Sequence, residues 1–324
     1  MKRREFIAAL GSAAAWPVAA RAEPSQIARI GFLNLAPASA WAEEVASFQT
    51  GLRELGYVEG KNVVIEFRWA ETVRQLPQLA NDLVSMNLDI IVAPASTEVE
   101  PVLHATKTIP IVFCQHADPV GLGHVASLAH PGGNVTGVSM VLTEIAAKTL
   151  QILKDAVPQA ERIAVVWNPT TPSHITVLKE VEVVGKRLGV QLLTIPIETM
   201  ADFDGAFSTM EQQRVDGFVV VGSPLSNMQR TPLADLELKY HLPGIFQNKE
   251  NTRAGGLMSY GANFNYMYQH AAIYVDKILK GEKAADLPVE QASRYEFVIN
   301  LKTAKTLGVE IPPSLLARAD EVIE

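Results

Sequence analysis

The stretch 89-DIIVAPASTEVEPVLHATKTIPIVF-113 decides the architecture of this chain. Asp89-Ile90-Ile91-Val92 is a short apolar run of strand type, Val99–Thr106 reads as a helix, and Ile109–Phe113 is a second strand. Two short apolar runs joined through one helix make a β-α-β unit, the connection that parallel strands require. The same rhythm extends toward the N-terminus. Ile27–Leu35 is a strand that ends in a Pro/Ser loop, where Ser39 is placed to cap the next helix with Glu43 and Glu44 in its first turn. Val45, Phe48, Leu52 and Leu55 share one face of that helix, Val63–Trp69 is the next strand, and Val73, Leu76, Ala80, Leu83 and Val84 mark a further helix. The series predicts a mostly parallel, doubly wound sheet with helices on both faces.

Toward the C-terminus, 130-HPGGNVTGVSM-140 breaks the rhythm with glycines and an extended run, after which the alternation restarts. Strands are expected at Arg162–Trp167, Val190–Ile197, Gly217–Val221 and Gly244–Phe246, with helices over 143–156, 174–188, 202–214 and 228–241. Past residue 250 come an extended Gly255–Gly261, an amphipathic helix Asn263–Lys280, another extended stretch and two short helices. The reading is therefore α/β, with two doubly wound parallel-sheet lobes and no sequence repeat between them. Extended segments near 137–141, 257–262 and 286–294 would form a three-segment hinge, with lobe one at 23–138 plus 261–287 and lobe two at 139–260 plus 288–324.

Residues 1–22 read as a removable export signal. Lys2, Arg3 and Arg4 form a cationic head, Phe6–Val18 is apolar but too short to span a bilayer, and Ala20-Arg21-Ala22 is a small–x–small cleavage pattern. Arg3-Arg4-Glu5-Phe6-Ile7 is similar to a twin-arginine signal; the alternative is an ordinary secretory signal with a basic head. No cysteine lies near the cleavage site to carry a lipid anchor, and no later run is long and apolar enough to span a membrane. A soluble periplasmic protein is expected. The net charge of −7 would become about −10 after removal of the signal. An acidic chain without a basic cluster speaks against nucleic-acid binding. Hydrophobic content of 48% excludes general disorder, and the single cysteine, Cys114, excludes an internal disulfide.

In an open α/β sheet, ligands bind outside the carboxyl ends of the strands. The loops expected there hold Asn34, Ser96, Thr97, Gln115 and Asp118 in lobe one, and Trp167, Asn168, Ser223 and Asn248 in lobe two. With Tyr260 near the second hinge segment, these are the candidate ligand-binding residues. They are hydrogen-bonding groups rather than nucleophiles, and the same residue types serve equally as caps and turns. Ser96 and Thr97, at a helix start, suit a carboxylate, and Asp118 suits an ammonium. Trp167 or Tyr260 would cover an apolar body, with Trp41 the weaker aromatic candidate. No nucleophile elbow, zinc-protease, phosphate-loop or dinucleotide motif is present, so no enzyme activity and no cofactor are expected. His116, Asp118 and His124 match no strong metal-ligand spacing, and no metal is expected. Cys114 reads as a small buried residue.

Two stretches carry a resemblance. The first is 109-IPIVFCQHADPVGLGHVASLAHPGGNVTGVS-139, and the second runs from Gly255 to Leu316 and includes Leu287-Pro288-Val289 and Ile299-Asn300-Leu301. The chain resembles the ABC-transporter substrate-binding family related to tryptophan- and tyrosine-binding proteins, over essentially the whole mature length. The resemblance implies a type I periplasmic-binding-protein fold, closure around a small ligand and delivery to a membrane permease; a monomer is expected. It places Asp118 at the family's amino-group carboxylate and Ser96 and Thr97 at its carboxylate-binding loop. Asn34 stands where aromatic-amino-acid binders often have Gln, and Ala262-Asn263 where many members have an acidic residue. Both departures bear on the ligand's identity. Competing readings are a binding protein that feeds a sensor and a periplasmic enzyme on an α/β scaffold.

Overall fold

The computed structural model describes residues 27–324; the expected export signal and its cleavage site lie outside the described residues. The first unit runs β1 (Ala28–Leu35), α1 (Ala42–Glu54), β2 (Val63–Ala70), α2 (Leu76–Val84), β3 (Ile90–Val92), α3 (Ser96–Ala105), β4 (Ile111–His116) and β5 (Val135–Ser139). The second runs α4 (Leu142–Ala156), β6 (Arg162–Trp167), α5 (His174–Leu188), β7 (Gln191–Pro196), α6 (Asp202–Gln212), β8 (Gly217–Val220), α7 (Pro224–Met228), α8 (Arg230–Lys239), β9 (Gly244–Phe246), α9 (Lys249–Arg253) and β10 (Met258–Ala262). The chain then returns through α10 (Phe264–Leu279) and β11 (Glu290–Gln291), and ends with β12 (Tyr295–Asn300), α11 (Leu301–Leu307), α12 (Pro313–Leu316) and β13 (Glu321–Ile323).

Sheet one has the order β11-β5-β4-β3-β1-β2 and is parallel throughout. Sheet two has the order β13-β12-β10-β9-β8-β6-β7, with one antiparallel pair, β10 with β12. Each sheet is buried on both faces. In lobe one, Phe32, Phe48, Tyr268 and Tyr274 pack on one side, and Leu33, Leu83, Ile91 and Phe113 on the other. In lobe two, Leu150, Val165, Val219 and Ile299 lie on one side, and Ala164, Phe207, Phe218 and Phe246 on the other. This two-sided burial is why the strands read as near-continuous apolar runs.

The chain passes between the sheets three times, after Ser139, after Ala262 and after Gln291. Two of the expected boundaries differ. β10 continues through Gly261 to Ala262, paired with Glu296 and Tyr295, so these residues belong to sheet two rather than to lobe one. β11 pairs with β5 through Glu290 and Val138, so 288–291 stay with sheet one. A two-residue strand of exposed Glu and Gln has no apolar period from which it could be read. The start of α1 also differs. Ser39 does not cap it, because a 3-10 turn, Ala38–Trp41, precedes the helix with no side-chain cap.

The register of β4 against β5 slips between Phe113 and His116, leaving one extra residue in β4. The amides of Cys114 and Gln115 both donate to Pro94 O, at 3.0 and 2.8 Å. Such a bulge re-aims the side chains that follow it. Gly137, opposite Phe113, has φ of +146°, and a Cβ there would collide with the Phe113 backbone.

Candidate functional site

Strand order reverses around β1 in sheet one and around β6 in sheet two, which places a crevice at the carboxyl ends of both sheets. The two edges face each other across a cleft that encloses about 660 Å³ of empty space, open solvent included. Lobe one contributes the first turn of α3 (Ser96, Thr97, Glu98) together with Gln115 from the β4 bulge. Lobe two contributes Thr171 and Ser173 after β6, Gly222–Pro224 after β8, and Gln247 and Asn248 after β9. Trp41, Met140, Leu142, Ile145, Ala262 and Phe264, most of them beside the crossings, form the apolar part of the wall.

Glu98 is the one charged side chain among the described residues of this wall. It is 2% exposed; its Oε1 accepts the Leu35 amide at 3.0 Å, and its Oε2 has no partner among the described residues. Burial pushes its carboxyl up to about 7, and the hydrogen bond from Leu35 offsets part of that rise. The Ser96 and Thr97 amides, at the start of a ten-residue helix, have no carbonyl one turn behind them inside the helix. Gln115 donates from Nε2 to the Tyr268 hydroxyl at 3.2 Å.

Across the cleft the groups are uncharged. The Ser173 hydroxyl is buried with no partner among the described residues, and so is Gln247 Nε2. Gln247 Oε1 is engaged by the Gly222 amide at 2.8 Å. His174 fixes this side. Its Nδ1 accepts the Asn168 amide at 3.0 Å, and its Nε2 donates to Gly222 O at 3.0 Å. Burial lowers its pKa to about 4, so it is neutral and ties the β6 loop to the β8 loop.

The structure brings Ser96, Thr97, Gln115, Ser223 and Asn248 together on the cavity wall. It does not bring the other five expected residues there. Asp118 Oδ1 accepts the Gly121 amide at 2.8 Å and closes a turn. Asn34 is buried near the end of β1, with its Nδ2 unpartnered among the described residues. Asn168 Oδ1 is used by the Thr170 amide and hydroxyl, at 2.8 and 2.6 Å. Trp167 packs on the sheet-two core, and Tyr260 stacks on Tyr295 with ring centroids 5.9 Å apart. The aromatic surface of the cleft comes instead from Trp41 and Phe264, with centroids 6.4 Å apart; Trp41 is backed by Tyr268 at 6.2 Å. Glu98, Ser173 and Gln247 were not read from the sequence as site residues. For Glu98 the usable signal was the helix start: α3 begins at Ser96, three residues ahead of the expected Val99, which puts Glu98 in its first turn.

Comparison with known proteins gives the family and the fold. The family model described as ABC transporter substrate binding protein matches residues 30–323, and the chain belongs to that family. A tyrosine-binding protein of Clostridioides difficile (strain R20291) is 27% identical over 264 residues, covering 81% of this chain and 76% of that protein. The crystal structure of an ABC domain in complex with L-Trp from Streptococcus pneumoniae superposes with a TM-score of 0.85 at 26% identity, covering 91% of this chain and 99% of that one. A conserved domain protein of Vibrio cholerae superposes with a TM-score of 0.86 at 26% identity, covering 92% and 100%. The fold is that of the type I periplasmic binding proteins. Among the described residues no helix is long and apolar enough to cross a membrane, and no group of three or more His, Cys, Asp or Glu is arranged to hold a metal ion.

Proposed function

We propose that this chain binds a small amino acid with an apolar, aromatic body in the cleft and delivers it, in the periplasm, to the permease of an ABC importer. The observation that carries the reading is the Glu98 carboxyl, the one charged group on the wall, with a buried oxygen that has no partner among the described residues. A wall with one acid and no base favours a ligand that brings a cation. The ligand ammonium lies against Glu98, the role that the sequence suggested for Asp118. Its carboxylate lies at the free amides of Ser96 and Thr97, with Ser173 and Gln247 donating from lobe two on closure. Trp41 and Phe264 take the aromatic body. The tyrosine- and L-Trp-binding relatives support an aromatic amino acid. The sequence of residues 1–22, read as an export signal, is what points to the periplasm, and the Arg3→Lys, Arg4→Lys double variant should fail to reach it if the route is the twin-arginine one.

Calorimetry with L-tryptophan, L-tyrosine and 3-indolepropionate tests the ligand class. The amino acids should bind and the des-amino compound should bind at least tenfold more weakly, because it leaves Glu98 without a partner. Equal affinity for L-tryptophan and 3-indolepropionate would remove the ammonium from the reading. Mass spectrometry of ligand released from protein purified without refolding would name the natural ligand.

A further inference from the structure

Ser96 is the inner end of a hydrogen-bonded chain that runs from the cleft to the surface. Its Oγ lies 3.3 Å from His116 Nδ1, His116 Nε2 lies 2.8 Å from His124 Nδ1, and His124 Nε2 lies 2.5 Å from Glu100 Oε2. His116 is fully buried and the His124 side chain is 5% exposed, while Glu100 reaches solvent. Histidine protons have two possible positions, but both ends of this chain are fixed. The Asp118 backbone N–H donates to His116 Nδ1 at 3.2 Å, and a backbone amide cannot reverse that role. His116 Nδ1 therefore carries a lone pair and its proton sits on Nε2. Burial and the neighbouring His124 hold the His116 ring neutral. The Nε2 proton points at His124 Nδ1, which must accept, so the His124 proton sits on Nε2 and goes to Glu100.

The same logic fixes the serine. With His116 Nδ1 an acceptor, the Ser96 hydroxyl can only be the donor in their contact, sharing the single Nδ1 lone pair with the Asp118 amide. One of its two lone pairs takes the Ala117 amide at 3.2 Å. One lone pair remains, on a side chain that lines the cleft.

We propose that the Glu100–His124–His116 chain holds the Ser96 hydroxyl as an acceptor toward the cleft, so that Ser96 Oγ and Glu98 Oε2 together receive the ligand ammonium. The identity of the ligand rests on the amino-acid reading above; the polarity of the chain does not. It reverses the sequence expectation for the Ser96 side chain, while the Ser96 and Thr97 amides keep their role toward the carboxylate. His116, His124 and Glu100 are positioning residues. The charged and titratable groups around them are His104, 3.5 Å from Glu100 on α3, the Asp118 carboxylate held in its turn, and Glu98 on the cleft side.

Nitrogen-15 NMR of the histidines in the ligand-free protein reads the chain directly. His116 should be the Nε2–H tautomer at neutral pH, because its Nδ1 accepts the Asp118 amide. An Nδ1–H tautomer at neutral pH would overturn the proposal. Calorimetry of Ser96→Ala reads the consequence. Affinity for L-tryptophan should fall by about tenfold to a hundredfold, the scale of a hydrogen bond to a charged group, and affinity for 3-indolepropionate should not change. An equal loss for both compounds would make Ser96 a carboxylate donor and sink the proposal. If wild-type protein binds neither compound, the amino-acid reading fails, and the tautomer alone decides the chain.

Discussion

Glu98→Gln is the substitution with the largest consequence that can be worked from the structure. Gln keeps an oxygen for the Leu35 amide and places an amide NH₂ at the position of the buried, unpartnered Glu98 Oε2. In the wild-type protein the folded carboxyl titrates at about 7, against 4.5 for the free group, because burial penalises its charged form. Between those values the folded state binds more protons than the unfolded one, so ligand-free stability falls as pH rises from about 4.5 to about 7. The shift, at 1.36 kcal/mol per pH unit, amounts to about 3 kcal/mol as an upper figure. Urea unfolding at pH 5 and pH 8 should show wild type losing up to that amount relative to Glu98→Gln. Taking the difference between the two proteins cancels other buried carboxyls such as Glu237, whose carboxyl is also raised by burial. Ligand binding runs the opposite way. An ammonium ligand needs ionised Glu98, so affinity for L-tryptophan should drop about tenfold per unit below pH 7, and about a hundredfold by pH 5. The Glu98→Gln protein should bind weakly and lack this component of the pH profile. Parallel pH profiles for the two proteins, in stability and in affinity, would refute the assignment of Glu98 as the buried, ligand-facing acid.

Three further outcomes are expected. Asp118→Ala removes the acceptor of the Gly121 amide, so it should cost about 1 kcal/mol of stability in urea and leave L-tryptophan affinity within about twofold, less than 0.5 kcal/mol; a tenfold affinity loss would return Asp118 to the site. Glu237→Ala strands the buried amides of Gly244 and Leu257 and should cost about 2–6 kcal/mol, at 1–3 for each, with a loss below 1 kcal/mol counting against that role. Small-angle scattering should show a smaller radius of gyration with saturating ligand, through motion at the three crossings after Ser139, Ala262 and Gln291, whereas an unchanged radius would argue for a cleft that is already closed.

The sequence by itself determined the alternation of strand and helix, the presence of two α/β units and the loops at the carboxyl ends of their strands. These are local properties. Runs such as Ile90–Val92 and Ile111–Phe113 are apolar because both sheet faces are covered, and that pattern is written residue by residue. Ser96, Thr97, Gln115, Ser223 and Asn248 were reached because a loop after a parallel strand has only one end of the sheet to face. The tertiary structure decided the rest. A one-residue bulge in β4 sets where Gln115 points, a 3-10 turn brings Trp41 rather than Trp167 to the cleft, and a turn claims the Asp118 carboxylate that looked free. Glu98 came to the cavity wall only through the tertiary fold, because a carboxyl acquires its raised pKa and its unpaired oxygen from elements distant in sequence. Burial and pairing are properties of what surrounds a group in space, and a linear pattern of residue types does not carry them.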